Sequence, residues 1–130
     1  MNRDVLISNS VITTVPAGSS TVTLFDTTAS PDKGVTLSRR RGYRHVRRAI
    51  VRVFTDQAAT FLAQSLTNNS TTWRTYNGTG AGEAISANTI FERDVLFIGD
   101  DTLLAITTGT QPTVWEVSVR LVEGDRAVGQ

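Results

Sequence analysis

Few side chains in this sequence combine the types and the spacing that catalysis requires. His45 is the only histidine, and no serine or cysteine stands where its spacing would make it a partner in nucleophilic catalysis. Glu92 and Asp94 are separated by one residue, so in a strand both carboxylates would lie on one face, as a glycosidase pair could. An exposed strand face, paired to an arginine-rich strand earlier in the chain, accounts for the two acids more simply. We therefore expect His45 to be structural or at the surface, and we expect no enzymatic activity.

Two turns carry oxygen atoms that could bind a cation. Asp100-Asp101 and Asn68-Asn69 offer the hard oxygen donors that Ca²⁺ prefers. Aspartate and asparagine are also favoured in turns for backbone reasons, and these reasons suffice here. The glycine-rich segment 78–82 lacks the Lys-Ser/Thr pair of a phosphate-binding loop, and no helical pattern follows it. The sequence therefore predicts neither a metal nor a cofactor.

The composition is that of one nearly neutral domain. The chain has 130 residues, enough for a single domain that buries roughly two-thirds of its unfolded surface. It has no cysteine, which excludes a disulfide framework and a thiolate metal site. Its net charge is +1, whereas domains dedicated to nucleic acid are usually basic overall. We expect neither disulfides nor a nucleic-acid partner.

The ends of the chain are polar and lack long apolar runs. The N-terminal apolar runs are short and interrupted by Asn and Ser, unlike the apolar region of a signal peptide. No run approaches the roughly 20 apolar residues that a membrane helix needs. We expect synthesis without a cleaved leader, no membrane partner, and flexible arms at residues 1–10 and 124–130.

Short alternating runs between turn residues indicate an all-β protein. Threonine, valine, isoleucine and phenylalanine recur in these runs, and Gly, Pro, Asn and Asp separate them. We predict a single-domain antiparallel β-sandwich, jelly-roll-like, with about eight to ten strands. The predicted extended segments are 4–8, 11–15, 20–26, 35–38, 44–54, 60–66, 74–76, 85–89, 90–98, 102–108 and 113–122.

The alternation also predicts which residues share a face. In the segment 20–26, Val22 and Leu24 lie on one face and Phe25 on the other. Asn77-Gly78 is the strongest signal for a tight turn in the chain. The later strands place Phe91, Val95 and Phe97 together, turn Trp115, Val117, Val119 and Leu121 inward, and turn Glu116, Ser118 and Arg120 outward.

The segment from residue 39 to residue 54 has the least conventional pattern. It holds seven of the thirteen basic residues of the chain, and no acid lies between Asp32 and Asp56. Large apolar residues alternate with arginines on one face, which is typical of a surface that another protein covers. A β-bulge that shifts the register would also produce this pattern, and so would arginine stems lying over apolar neighbours. The predicted interface, which we expect to face an acidic partner, consists of Arg39, Arg40, Arg41, Arg44, Val46, Arg48, Ile50, Arg52 and Phe54.

Trp73 and Tyr76 suggest a second kind of surface. Two aromatic side chains close in sequence could stack on a sugar, as in carbohydrate-binding sandwiches. A tryptophan that covers the core after a turn is the simpler interpretation of Trp73. A glycan-binding site at these two residues stays an alternative.

One part of the chain resembles a known group of proteins. The segment VRVFTDQAATFLAQS (51–65), then Trp73, and more loosely residues 80–122 resemble β-sandwich domains of tailed-bacteriophage virion proteins. The resemblance covers a little over half of the chain and begins near Asp56. Such domains commonly have an Asp-Gly turn before the tryptophan, where this chain has the segment NNSTT (68–72).

The resemblance implies a structural role in a virion without enzymatic activity. The similarity is greatest to capsid decoration or cement proteins, which bind the major capsid protein or another virion protein, often as homo-oligomers. It implies synthesis in the host cytoplasm and a place on the capsid surface. The alternative that it allows is a host-attachment module that binds a glycan through Trp73 and Tyr76.

Overall fold

The protein is a β-sandwich built from antiparallel strands. The structure, a computed structural model, describes residues 5–13, 15–26, 48–66, 71–98 and 101–123. These residues form nine strands and one short 3₁₀ segment at Gly78–Gly80, which confirms the predicted all-β antiparallel sandwich. The strands are β1 (Val5–Ile12), β2 (Thr21–Asp26), β3 (Arg48–Thr55), β4 (Ala59–Leu66), β5 (Arg74–Thr75), β6 (Glu83–Ile85), β7 (Phe91–Leu96), β8 (Asp101–Thr108) and β9 (Trp115–Glu123).

Two sheets face each other across an apolar core. The first sheet has the strand order β1-β9-β3-β7, and the second has the order β2-β8-β4-β5, with β6 also paired to β4. Phenylalanines join the sheets: the rings of Phe25 and Phe97 stack at 5.3 Å, and those of Phe61 and Phe91 lie 5.8 Å apart. Burying a side chain of this kind stabilises the fold by about 1.5–3 kcal/mol.

Strand β3 follows regular alternation through its described length. Ala49, Val51 and Val53 are fully buried, whereas Arg52 between them is exposed. The register of β3 to both β7 and β9 runs without a shift from residue 48 to the end of the pairing. A register-shifting bulge therefore does not explain the arginine pattern within these residues.

Strands β7 and β9 also have the predicted faces. Phe91, Val95 and Phe97 are buried together. On β9, Val117, Val119 and Leu121 are buried and Trp115 is half-buried, while Glu116 and Arg120 are exposed and Ser118 is half-buried.

The predicted division between the segments 4–8 and 11–15 is wrong. Residues 5–12 form the single strand β1, which pairs with β9 along its length. A register shift between Leu6 and Ser8 absorbs one extra residue, so the polar residues do not end the ladder.

The predicted placement of Phe25 opposite Leu24 is also wrong. The register between β2 and β8 shifts between Thr23 and Phe25, and both Leu24 and Phe25 are fully buried. A bulge puts two consecutive side chains on one face, and period-two alternation cannot anticipate that.

Asn77-Gly78 does not close a hairpin between the two strands that flank it. Strand β5 pairs with Gln64 and Ser65 of β4, and β6 pairs with residues 59–61 of the same strand. Strands β5 and β6 thus lie in line along one edge of β4, with residues 76–82 looping out between them. Several predictions fall outside the described residues: the strand at 35–38, His45, the turns at 67–70 and 99–100, and the arm at 124–130.

Candidate functional site

The outward side of the first sheet holds the described part of the predicted interface. Alternation turns Ile50, Arg52 and Phe54 away from the core. Ile50 lies opposite Arg120 of β9 and Asp94 of β7, and Arg52 lies opposite Ser118 and Glu92. We call this surface the outer face; it comprises Val11, Arg48, Ile50, Arg52, Phe54, Glu92, Asp94, Glu116, Ser118 and Arg120, with Ile90 at its rim.

An open groove of about 630 Å³ crosses the outer face. Two of the apolar residues along it are largely exposed, Val11 at 64% and Ile90 at 55%. Trp115 lies half-buried at the groove, and its indole Nε1 donates a hydrogen bond to the carbonyl oxygen of Ile12 at 3.1 Å. The groove is lined by Val11, Arg52, Phe54, Ile90, Trp115, Glu116, Val117 and Ser118.

Acids of β7 pair with the arginines of β3. Arg48 Nε donates a hydrogen bond to Asp94 Oδ1 at 2.6 Å, and Arg48 is 11% exposed. Arg52 Nη1 lies 3.8 Å from Glu92 Oε2, and both side chains are about half exposed, at 54% and 51%. The prediction that Glu92 and Asp94 belong to an exposed face beside the arginine-rich strand is confirmed.

These pairs change the expectation of an acidic partner. A half-exposed ion pair contributes about 0–1 kcal/mol, so Arg52 and Glu92 stay available to other charges. The described outer face nevertheless carries both signs in equal number: Arg48, Arg52 and Arg120 against Glu92, Asp94 and Glu116. The outer face is therefore mixed in charge. The acidic groups that the arginines were expected to meet on a partner are instead supplied by Glu92 and Asp94 of the same chain.

Part of the predicted interface is brought together, and part lies outside the described residues. The structure gathers Arg48, Ile50, Arg52 and Phe54 on one surface. It adds Val11 and Ile90, which sequence reasoning did not assign to the interface. The sequence did contain an indication for Ile90: in an extended strand, residues 90, 92 and 94 lie on the same face, so Ile90 shares the face of Glu92 and Asp94. Arg39, Arg40, Arg41, Arg44 and Val46 lie outside the described residues.

Tyr76 joins the two sheets instead of offering its ring to the surface. The ring packs against the core, and the hydroxyl donates a hydrogen bond to the carbonyl oxygen of Leu96 at 2.8 Å. Burial raises the pKa of Tyr76 to about 12. Trp73 is half-buried. The geometry of Tyr76 thus leaves Trp73 as the aromatic residue on which the glycan alternative depends.

The side chain of Asn77 holds the loop between β5 and β6 by making hydrogen bonds of the kind that a neighbouring strand would make. Asn77 Oδ1 accepts a hydrogen bond from the backbone N–H of Ala63 at 3.0 Å, and Asn77 Nδ2 donates to the carbonyl oxygen of Phe61 at 3.0 Å. The amide therefore occupies the gap in the ladder along β4. Gly82 has φ +84°, and a Cβ there would lie 2.6 Å from Leu62 Cδ2, so the loop approaches β4 too closely for another residue.

An ion pair fastens the same loop to the first sheet. Arg93 Nε donates to Glu83 Oε2 at 2.7 Å, and Asn77 Nδ2 donates to Glu83 Oε1 at 3.2 Å. The hydrogen bond from Arg93 lowers the pKa of Glu83, against the opposing effect of burial. A cavity of about 280 Å³ lies here, and the polar groups of Tyr76, Asn77, Glu83 and Arg93 on its wall already bond to partners within the chain. Their arrangement is structural. The sequence signalled only a turn here.

Asp56 holds the loop that precedes β9. Its Oδ1 accepts hydrogen bonds from the backbone N–H groups of Thr113 at 3.0 Å and Val114 at 3.1 Å, and its Oδ2 accepts one from the Thr113 hydroxyl at 2.5 Å. The hydroxyl hydrogen bond, followed by the one from the Val114 backbone, lowers the pKa of Asp56. The carboxylate is a clasp between two turns, and all of its observed contacts serve the fold.

The described residues give no support to a metal site. They contain no group of three or more His, Asp or Glu side chains that could hold a metal ion. Among these residues, no helix is long and apolar enough to cross a membrane.

No protein-family model, curated protein or solved structure matches the chain. The outer face combines exposed apolar side chains with charges of both signs.

Proposed function

We propose that this chain is a structural, non-enzymatic protein of a tailed-bacteriophage virion, a decoration or cement protein that binds the major capsid lattice or another virion protein. The observation that carries the proposal is the outer face, where Val11 and Ile90 are exposed along a groove of about 630 Å³. Exposed apolar side chains within a charged rim are typical of protein–protein contacts. Such a contact stabilises the assembled shell if the separated shell subunits do not form it.

The winding of the chain supports the proposal. If β5 and β6 count as one interrupted strand along β4, each sheet has four strands. Strands β1, β3, β7 and β9 lie in the first sheet, and β2, β4 and β8 lie in the second. A jelly roll has this alternation of the chain between two four-stranded sheets, and viral capsid domains are among the proteins built that way.

A mechanism follows from binding linkage. A protein that binds assembled subunits and not separated ones stabilises the assembly by RT ln(1 + [L]/Kd), about 2.7 kcal/mol at 100 times Kd. The described outer face has no net charge, so contact there depends on apolar burial and on pairs of both signs. We expect moderate salt dependence of binding, without the steep dependence of a strongly basic surface.

Binding to purified tailed-phage capsids that lack a decoration protein tests the proposal. The protein is mixed with capsids, pelleted, and the capsids are then heated until they release DNA. We expect co-sedimentation and a higher release temperature. Failure to bind these capsids when the protein is in excess over the capsid sites would overturn the assignment as a capsid decoration protein.

A glycan array with the wild-type chain and Trp73→Ala provides the contrasting measurement. Glycan binding that Trp73→Ala abolishes, together with no capsid binding, would establish the attachment module instead. Tyr76→Phe is the matched control, because it keeps the ring in place and removes only the hydroxyl bond to Leu96.

A further inference from the structure

We infer that the groove of the outer face binds an extended segment of a partner protein in which a lysine or arginine lies between two apolar residues, each two positions away from it. The inference rests on the proposed function in treating this face as a protein-binding surface. It names the chemistry of the bound segment, which the proposed function leaves open.

The groove contains a carboxylate that the chain does not neutralise. Glu116 is exposed on β9, and within the described part of the chain its side chain has no ion pair and no hydrogen bond. The other two acids of the outer face both have an arginine of β3 as a partner, at 2.6 Å for Asp94 and 3.8 Å for Glu92. The pair with Glu92 also draws the guanidinium of Arg52 toward β7, on the side of β3 away from β9. The charge that lacks a partner in the groove is therefore negative, and it favours a segment that brings a cation.

Exposed apolar side chains lie on both sides of the Glu116 carboxylate. Val11 of β1 is beside Ser118, the next residue of β9 on the same face as Glu116. On the other side, Phe54 lies opposite Glu116, and Ile90 lies beyond Phe54, immediately before β7. Val11 and Ile90 are 64% and 55% exposed, so a partner that covers them removes apolar surface from water. An apolar side chain, an acid and further apolar side chains thus follow one another across the sheet.

The width of the sheet determines the spacing of side chains in the bound segment. Neighbouring strands lie about 4.8 Å apart, so β1 and β7 are about 14 Å apart and β9 is about 5 Å from β1. In an extended segment that crosses the strands, the side chains facing the sheet recur about every 6.6 Å. A first side chain over Val11 then brings the second close to Glu116 and the third close to Ile90. The first and third should be apolar, and the second should be basic.

The groove also has the volume and the hydrogen-bonding groups for such a segment. Its volume of about 630 Å³ lies within the range of roughly 300–1,000 Å³ found for ligand sites. The small side chain of Ser118 leaves room at the centre of the groove, and Arg52 beside it can donate hydrogen bonds to backbone carbonyl oxygens of the segment. Arg52 and Glu116 therefore bind different parts of the segment, its backbone and its basic side chain.

Titration of the isotopically labelled protein with three short peptides, followed by NMR, tests the inference. Each peptide has leucine at its first and fifth positions and threonine at its second and fourth, and its third position is lysine, glutamine or glutamate. Concentrations reach about 5 mM, since a site for so few residues binds weakly by itself. We expect the lysine peptide to bind about two- to fivefold more tightly than the glutamine peptide, and the glutamate peptide to bind most weakly. The amide shifts should concentrate at Val11, Phe54 and Ser118.

Variants of the acid in the groove test the assigned pair. Glu116→Gln should abolish the preference for the lysine peptide, and Glu116→Lys should reverse the order of the three peptides. Glu92→Gln is the matched control, because Glu92 is a half-exposed acid of the same face that does not line the groove. It should keep the preference. Circular dichroism verifies the fold of each variant.

A variant of the apolar wall tests the flanking residues. Val11→Ser should weaken the binding of all three peptides about fivefold without changing their order, because it removes only apolar contact. Ile98→Ser is the matched control, since Ile98 is an apolar residue that is 43% exposed and does not line the groove.

Several outcomes would overturn the inference. They are no shift at the groove with about 5 mM lysine peptide, equal binding of the three peptides by the wild type, and a preference for lysine that survives Glu116→Lys. Unchanged binding by Val11→Ser would do the same.

The inference and the proposed function fail separately. A chain that binds capsids and shows no preference among the peptides would overturn the inference and leave the proposed function in place. A chain that prefers the lysine peptide through Glu116 and binds no capsid would support the inference and overturn the assignment to the capsid. Peptide titration and capsid binding are therefore measured on the same preparations.

Discussion

The outer sides of the two sheets differ although their inner sides are alike. Both inner sides are apolar because they share one core. On the outside, the described part of the second sheet has Thr21, Thr23, Thr60 and Thr107 toward one end and the half-buried Leu62, Gln64 and Leu103 toward the other. The outer face of the first sheet instead alternates ions with exposed apolar residues. Core packing dictates the inner sides of both sheets equally, so the difference lies in the outer sides alone.

This difference indicates where a partner is to be expected. The threonines at one end of the second sheet are polar and have good strand propensity, and none of the described large apolar residues on that outward side is as exposed as Val11 or Ile90. Val11 and Ile90 are exposed at a cost in solvation that a partner would remove. Strand β3 therefore combines two features: its inner face packs in the core, and its outer face carries residues of the predicted interface.

The largest expected effect comes from the core that both sheets share. Phe61 is fully buried and its ring contacts that of Phe91. We expect Phe61→Ala to lower the free energy of unfolding by about 3–5 kcal/mol, because it removes a large side chain and leaves a cavity. Urea unfolding measures this, with Thr60→Ala on the outward side of the same strand as control. Equal losses in the two variants would contradict the assigned faces.

The next effect concerns the edge of the second sheet. Asn77→Ala leaves the N–H of Ala63 and the carbonyl of Phe61 without the partner seen in the structure. We expect a loss of about 2–4 kcal/mol, since each part-buried group loses its hydrogen bond. Thr79→Ala in the same loop is the control, because Thr79 is exposed and contacts only the neighbouring Gly78 carbonyl among its observed bonds. Hydrogen exchange at Ala63 should accelerate in Asn77→Ala and not in the control.

The third effect is a pH dependence of stability that comes from Asp56, whose carboxylate holds the loop before β9. The folded-state pKa of Asp56 is lowered, so its contribution is present above the unfolded pKa near 3.8 and is lost as pH falls through the lower folded value. We expect Tm to fall in acid and Asp56→Asn to have a flatter Tm profile there. Glu83 has a lowered pKa too, so part of the acid dependence should remain in Asp56→Asn. An unchanged profile would show that the clasp contributes nothing.

At Tyr76, stability is lost as the pH rises instead of as it falls. Its pKa is raised from 10.0 to about 12, so the stability that this shift contributes is fully present below pH 10 and is lost as pH rises toward 12. We expect the absorbance of one tyrosinate to appear only near pH 12, together with a fall in Tm. In Tyr76→Phe, that late step in absorbance should be missing.

The smallest effect on folding is expected for the ions of the outer face. Arg52→Gln removes a half-exposed pair and should change the free energy of unfolding by less than about 1 kcal/mol. Its binding to capsids should weaken, and so should the salt dependence of that binding. The matched variant is Arg74→Gln, an exposed arginine on the short strand β5 of the other sheet. Equal effects of the two variants on capsid binding would contradict the assignment of the binding surface to the outer face.

Local pattern predicted much of the first sheet. In β3, β7 and β9 the parity of each residue determined its face, since successive side chains of a strand point in opposite directions. The pairing of Glu92 and Asp94 with the arginine-rich strand was predicted from the same parity and is confirmed by the two ion pairs. Alternation fails at Phe25 because the bulge is set by the pairing of β2 with β8.

The fold class and the faces of the regular strands could be predicted from the amino-acid order, because both depend on residues that are neighbours in the chain. Which groups meet in space depends on the tertiary fold. Trp115 reaches the carbonyl of Ile12 across 103 positions, Asp56 closes on Thr113 across 57, and Asn77 enters the ladder of β4. Contacts between such distant positions depend on strand order and register, which a local period of two residues does not encode.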